Sequence, residues 1–213
     1  MIVAIDGPSG SGKSSVARAI AQRFALAYLD TGAMYRAFAW WSLQGHTDMS
    51  TCPLSISTTP DGVRVLVGGT DVSAAIRGPE VTERVSAIAA DPRVRAEAVR
   101  RQREIIAAAD HGIVVEGRDI TTVVAPDAPV RVFLTADIAA REARRAAEFA
   151  DPEVAQRMRA TVAERDRIDT AREHSPLVET ADVVRIDATH RTLAEVIDLV
   201  AELVQSRVEE STP

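Results

Sequence analysis

The segment Gly7-Pro-Ser-Gly-Ser-Gly12-Lys13-Ser14 follows an apolar run, Ile2 to Asp6, and leads into a helical pattern from Lys13 to about Ala25. Strand, glycine-rich turn and helix form the context in which the spacing G-x-x-x-x-G-K-S has a physical meaning. Glycines let successive backbone N–H groups curl around an anion, and the helix N-terminus adds the positive end of its dipole. Gly7, Pro8, Ser9, Gly10, Ser11 and Gly12 then shape the loop, and Lys13 reaches the β- and γ-phosphates. The Ser14 hydroxyl is placed to ligate Mg2+, and Ser15 belongs to the same binding set. The competing reading is a glycine-rich turn that matches by chance. The match over all eight positions, in that context, instead predicts a nucleoside triphosphate site.

Lys13 is the only lysine in a chain of 213 residues that holds 25 basic side chains, and there is no asparagine. Codon bias in a GC-rich genome accounts for most of that imbalance. The one retained ammonium still points to a task that a guanidinium does not perform. Without asparagine the chain cannot supply the Asn-Lys-x-Asp element by which a GTPase reads guanine, and it is short for a motor-type ATPase. What remains is a compact phosphotransferase or a nucleotide-gated binding module. Apolar residues at 46% and charged residues at 26% are ordinary for a folded domain and exclude disorder. A net charge of -6 argues against a dedicated nucleic-acid binder. Cys52 is alone and the four histidines are scattered, which excludes a disulfide framework and a Cys/His zinc site. No apolar run approaches the ~18 residues of a membrane span. The apolar run begins directly after Met1, so no signal peptide is expected and the expected compartment is the cytoplasm.

Further along, a strand from Ala27 to Leu29 leads into a helix from Thr31 to Leu43, whose Trp40 and Trp41 read as core. Val63 to Val67, Gly68-Gly69 and Thr70 to Val72 predict a hairpin. Helical pattern runs from Pro79 through Ala109, with a break at Pro92. Strands are expected at Ile113 to Val115, Val130 to Leu134 and Val183 to Ile186. An Arg-rich helical stretch covers Asp137 to Arg172, and a closing helix starts at the capping box Thr192-Leu-Ala-Glu195. Alternation of strands and helices predicts an α/β fold with a parallel sheet, into which the hairpin-bearing lobe is inserted.

Three clusters stand where strands of such a sheet end, the crevice side of an open α/β fold. In Leu29-Asp30-Thr31-Gly-Ala-Met-Tyr-Arg36, Thr31 can cap the helix and Arg36 stands one turn in; a plain cap with a surface arginine is the alternative. Val115-Glu-Gly-Arg118-Asp119 places acid, arginine and acid just after a buried strand, which lines a site better than it builds a core. Arg165, Asp169 and Arg172 fall at i, i+4 and i+7, as a site-facing stripe or as an intrahelical salt-bridge ladder. Arg141, Arg144 and Arg145 share another face. Arginine suits bidentate phosphate contacts and charge on a phosphoryl group in flight.

The chain resembles the bacterial cytidylate kinases over nearly its whole length. The resemblance rests on IDGPSGSGKSS, LDTGAMYR, IRGPEVTERVSAIAADPRVR, VVEGRDITTVVAPDAPVRVFLTA and ERDRIDTAREHSPL. Thr121 stands where that family usually has Gly, and Glu116 where some members carry Asp. The resemblance implies transfer of a phosphoryl group from ATP to CMP or dCMP with Mg2+, in a P-loop core (1–30, 110–136 and 173–213) with an inserted monophosphate lobe (31–109) and a lid (137–172). It implies that Asp30 and Thr31 line the acceptor site, and that Arg36, Arg118 and Arg172 hold the acceptor phosphate. Arg165 and Asp169 would hold the ribose, Ser86, Arg95 and Asp119 would read cytosine, and Arg141, Arg144 and Arg145 would serve the lid. The cytosine amine is a donor that wants a carboxylate, whereas O2 and N3 want donors. A monomer with no nucleic-acid or membrane partner is expected. A kinase for UMP or a sugar acid, and a non-catalytic nucleotide sensor, remain as alternatives.

Overall fold

The structure, a computed structural model, describes residues 1–210. The end of the predicted core segment, 211–213, lies outside the described residues. Five parallel strands form the main sheet: β1 (Ile2–Asp6), β2 (Ala27–Asp30), β6 (Ile113–Gly117), β7 (Val130–Thr135) and β8 (Val184–Asp187), in the order β2-β6-β1-β7-β8. The first strand is central, so both its faces are covered and its sequence reads as continuously apolar. Val3 and Ile5 point to one face, where α1 (Lys13–Phe24) and α7 (Leu193–Glu210) bury Val16, Ile20, Val196 and Val200. Ala4 points to the other, into a core shared with Leu29, Val115 and Ile120. Among the described residues no helix is long and apolar enough to cross a membrane.

A second core belongs to the segment between β2 and β6. It packs α2 (Thr31–Leu43), α3 (Pro79–Ala90) and α4 (Pro92–Ala107) against an antiparallel sheet of β3 (Leu54–Thr59), β4 (Gly62–Val67) and β5 (Thr70–Asp71). The Gly68-Gly69 turn is present, with both glycines at positive φ. The third strand of that sheet, β3, was not expected, because only Leu54 and Ile56 carry its period-two pattern among Ser and Thr. The tryptophans do not enter the core as expected. Trp40 and Trp41 are half-buried at its edge, and Trp41 stacks on His46.

The helix break at Pro92 is sharp, since the Asp91 side chain accepts from Arg93 N at 2.8 Å and caps α4. The same device divides the Arg-rich stretch, read from sequence as one helical run, into α5 (Ile138–Ala146) and α6 (Pro152–Ala171). There Asp151 accepts from Glu153 N at 2.8 Å, ahead of Pro152. The capping box of α7 is reciprocal: Thr192 N donates to Glu195 Oε2 at 2.7 Å, and Glu195 N donates to Thr192 Oγ1 at 3.2 Å.

Parallel register fixes which residues share the C-terminal edge of the sheet. Asp6 lies opposite Gly117, and Asp30 lies opposite Glu116. The loop after β1, the turn after β6 and the start of α2 therefore open on one crevice.

Candidate active site

A cavity of about 340 Å³ fills that crevice. Its floor is the glycine loop, with Ser9, Gly10, Gly12, Lys13, Ser14 and Ser15 on the lining. Gly7, Pro8 and Ser11 belong to the loop but do not line the cavity. Gly10 has φ +74, and a Cβ there would lie 2.6 Å from the Arg141 carbonyl oxygen. Gly12, at φ +96, forms the left-handed step into α1, which no side-chain cap supplies.

Lys13 is folded back on its own loop: Nζ donates to the Pro8 carbonyl at 2.7 Å and to Ser11 Oγ at 3.4 Å. Burial, followed by the nearby Arg118 guanidinium, holds its ammonium well below the usual lysine range. Ser14 Oγ donates to Glu116 Oε1 at 2.6 Å, and Tyr28 OH donates to the same oxygen at 3.2 Å. Burial and the neighbouring Asp30 raise the Glu116 carboxyl above its usual range.

Asp30 and Thr31 both line the cavity, with their roles exchanged relative to expectation. Asp30 caps α2 by accepting from Ala33 N at 3.0 Å, and Thr31 Oγ1 instead donates to the Glu116 carbonyl at 2.7 Å. Thr31 is already the first helical residue, one position too late to cap. The other Asp30 oxygen accepts from Arg77 at 2.9 Å, a cavity residue that the sequence did not single out.

Arg36, Ser86, Arg95, Arg118, Asp119, Arg165, Asp169 and Arg172 all face the same cavity from four separate parts of the chain. The guanidinium of Arg95 pairs with Asp119 Oδ2, both side chains being 4% exposed, and lies over the Tyr35 ring. Asp169 accepts from Arg118 Nε at 2.7 Å and pairs with Arg172. Burial works against the Asp169 charge, yet Arg118 and Arg172 together hold its carboxyl below the usual range. The salt-bridge ladder therefore exists only in its Asp169–Arg172 step. Arg172 is the non-helical C-cap of α6, and Arg165 reaches Ser9 Oγ at 3.4 Å. Burial, Arg118 and Arg36 push the Arg165 guanidinium down to about 9.

The arginines 141, 144 and 145 do not act as one face. Arg141 donates to the Ser9 carbonyl at 3.2 Å and pairs with Asp166, while Arg144 donates to the Ala188 carbonyl at 2.6 Å and to the Ser11 carbonyl at 3.5 Å. Both brace the glycine loop by its Ser9 and Ser11 carbonyls, and neither lines the cavity. Arg145 alone of the three lines the cavity, paired with Glu148 and set over the Phe149 ring.

Two carboxylates with structural tasks at the site, Asp6 and Asp166, escaped the sequence reading. Asp6, fully buried, accepts from Ile120 N at 3.0 Å and from both Thr121 N and Thr121 Oγ1 at 2.7 Å. It pins the turn that presents Arg118 and Asp119, and the Thr121 hydroxyl makes a bond that a glycine at that position could not. The available signal was an acid ending an apolar strand. Asp166 accepts from Ser9 N at 2.9 Å and joins the loop to α6. Glu116, the acid that the sequence placed at the site, lines the cavity and holds Ser14.

Residues 3–206 match the model of the family described as cytidylate kinase. The chain is 44% identical over 218 residues to a cytidylate kinase of Streptomyces avermitilis, covering 97% of this chain and 94% of that protein. It is 43% identical over 222 residues to a cytidylate kinase of Mycobacterium avium, covering 98% and 97%. Its fold is similar to that of a gluconokinase from Sinorhizobium meliloti, with a TM-score of 0.51 at 18% identity, covering 98% of this chain and 93% of that one.

Proposed function

The chain belongs to the cytidylate kinase family, and for its reaction, the ATP-dependent phosphorylation of CMP, we propose the following roles. The glycine loop and Lys13 receive the triphosphate of ATP. Arg36, Arg118 and Arg172 hold the CMP phosphate, and Arg165 and Asp169 its ribose. The Arg95–Asp119 pair and Ser86 read cytosine, with Asp119 accepting from the exocyclic amine. One observation carries this reading. The cavity puts the glycine loop, an excess of guanidinium groups and the buried Arg95–Asp119 pair within a single enclosure. Lys13, Arg36, Arg165 and Arg172 are all held below their usual pKa ranges, burial being the largest cause for each. Buried cations in that state are stabilised by an incoming anion.

Transfer is in line. An oxygen of the CMP phosphate, already ionised at neutral pH, forms a bond to the γ-phosphorus as the bond to the β-phosphate oxygen breaks, so no general base is needed. The chain's contribution is position and charge neutralisation by Lys13 and the arginines. Closure of α5 and α6 excludes water, which would otherwise accept the phosphoryl group. Among the described residues no cluster of three or more His, Cys, Asp or Glu side chains could hold a metal alone. Mg2+ needs only one or two protein oxygens beside phosphates and water, and the Ser14 hydroxyl with the adjacent Glu116 carboxylate fits that need. When bound there, the ion offsets charge on the phosphate oxygens. The reading extends to dCMP as an acceptor. It also extends to a cytoplasmic monomer without membrane partners and, on the support of the acidic net charge of -6, without nucleic-acid partners.

A coupled measurement of ADP production across CMP, dCMP, UMP, AMP and gluconate tests the assignment. CMP should give the highest kcat/KM, and comparable turnover with gluconate would overturn it. Two variants sharpen the test. Asp119→Asn should cut kcat/KM for CMP by roughly 10–100-fold and for UMP by less, the size of one lost polar base contact; equal losses would assign Asp119 a structural task. Gly10→Ala should raise the KM for ATP at least about tenfold with the circular dichroism spectrum unchanged, because a Cβ at positive φ forces the loop off the Arg141 carbonyl.

A further inference from the structure

Arg36 enters the cavity from α2 and donates from Nη1 to two neutral oxygens, the Ile76 carbonyl at 3.2 Å and Thr82 Oγ1 at 2.8 Å. The Thr82 hydroxyl itself donates to the Gly78 carbonyl at 2.9 Å. Its proton is thereby committed, and a lone pair is left for the guanidinium. A threonine that bonds back to the preceding turn is an ordinary helical feature. The bond across the helix interface to Arg36 is not accounted for by that feature. Thr82 is 3% exposed, lies in the first turn of α3, and precedes Ser86 by one turn on the same face.

The Arg36 charge is poorly compensated where it stands. Burial lowers its guanidinium to about 10; Asp30 opposes the shift, while Arg145 and Arg77 add to it. The oxygens that hold such a group decide where its demand for an anion points. Of the two, the Ile76 carbonyl is backbone, and Thr82 Oγ1 is the one that a substitution can remove.

We propose that Thr82 is a positioning residue for the phosphoryl acceptor: its hydroxyl aims Arg36 at the CMP phosphate and ties that contact to the helix bearing Ser86. Phosphate and base are then held at one fixed spacing, set by a single turn of α3. The proposal rests on Arg36 as a phosphate ligand and adds the residue that orients it.

Steady-state kinetics on Thr82→Val, Thr82→Ser, Arg36→Ala and the Thr82→Val/Arg36→Ala double variant test it. The valine variant keeps the shape and removes the acceptor. It should raise the KM for CMP about tenfold, the scale of a lost hydrogen bond to a charged group, with the KM for ATP unchanged. The serine variant should restore the wild-type value, and in the Arg36→Ala background the valine change should add nothing. If Arg36→Ala raises the KM for CMP and Thr82→Val does not, the positioning role is overturned while the Arg36 assignment stands. If Arg36→Ala leaves the KM for CMP unchanged, both fall. Equal rises for CMP and ATP, without rescue by serine, would make Thr82 a packing residue and overturn the proposal. Should the valine variant fail to fold, Thr82→Ala removes the same acceptor and carries the same comparison.

Discussion

Replacing Lys13 with alanine is expected to lower kcat/KM about a thousandfold or more, the upper range for removing one preorganised charge from a transferring group. The melting temperature should not fall. Lys13 is 5% exposed and its ammonium holds the Pro8 carbonyl and Ser11 Oγ, so its removal relieves a desolvated charge rather than opening the core. Because the folded chain holds the Lys13 pKa below the 10.5 of a free lysine, the unfolded chain binds more protons between those two values. Wild-type stability should therefore rise with pH across that interval relative to Lys13→Ala, as denaturant midpoints at several pH values would show. Lys13→Arg should also be inactive. A planar five-donor head does not fit the space under a loop already pressed against the Arg141 carbonyl at Gly10. Near-normal turnover in the arginine variant would refute the idea that this one ammonium is indispensable.

The second large effect is expected at Arg172. An exposed ladder is worth a few tenths of a kcal/mol per pair, and its loss would be invisible in kinetics. Arg172 is not exposed: its side chain is 8% accessible, closes α6 and shares Asp169 with Arg118. Arg172→Ala should lower kcat/KM by about a hundredfold or more, with losses in both kcat and KM, as the proposed hold on the acceptor phosphate requires of a guanidinium that also sets the line of attack. Melting should change little, since Asp169 keeps Arg118 as its partner. Asp169→Ala should act differently. It removes the carboxylate between two buried guanidinium groups, and should lower the melting temperature while chiefly raising the KM for CMP. Unchanged kinetics in both variants would reduce these residues to a structural ion pair.

The parts of the fold carried by strong local chemistry were legible in the sequence. The glycine loop, the α7 capping box and the helix break at Pro92 are each short-range devices, and each is found where its residues predicted it. What stayed hidden depends on partners far along the chain. Asp6 reads as a strand end until Thr121 is folded onto it, 115 residues away. Asp166 sits in a charge-rich helix in which nothing local separates it from Glu164, yet it alone reaches Ser9 N. Arg141 and Arg144 illustrate the converse. Helical spacing placed them on one face with Arg145, but the loop carbonyls they satisfy are a tertiary feature that no periodicity encodes. The Asp151-Pro152 stop repeats the local signal of Asp91-Pro92, an acid that caps a helix ahead of a proline at its first position.

The parallel register has a further consequence, for how a chain of this kind tolerates insertions and deletions. Glu116 meets Ser14 and Tyr28 only because β6 runs level with both β1 and β2. Side chains alternate along a strand, so one extra residue inside β6 would turn Glu116 to the opposite face and move Gly117, Arg118 and Asp119 up by a step. No single substitution at the cavity displaces so many of its members at once. Residues between β2 and β6 are under no such constraint, because they leave the sheet at Asp30 and return at Ile113. An insertion at the Gly68-Gly69 turn of that segment is therefore expected to leave the sheet edge in place, whereas one inside β6 is not.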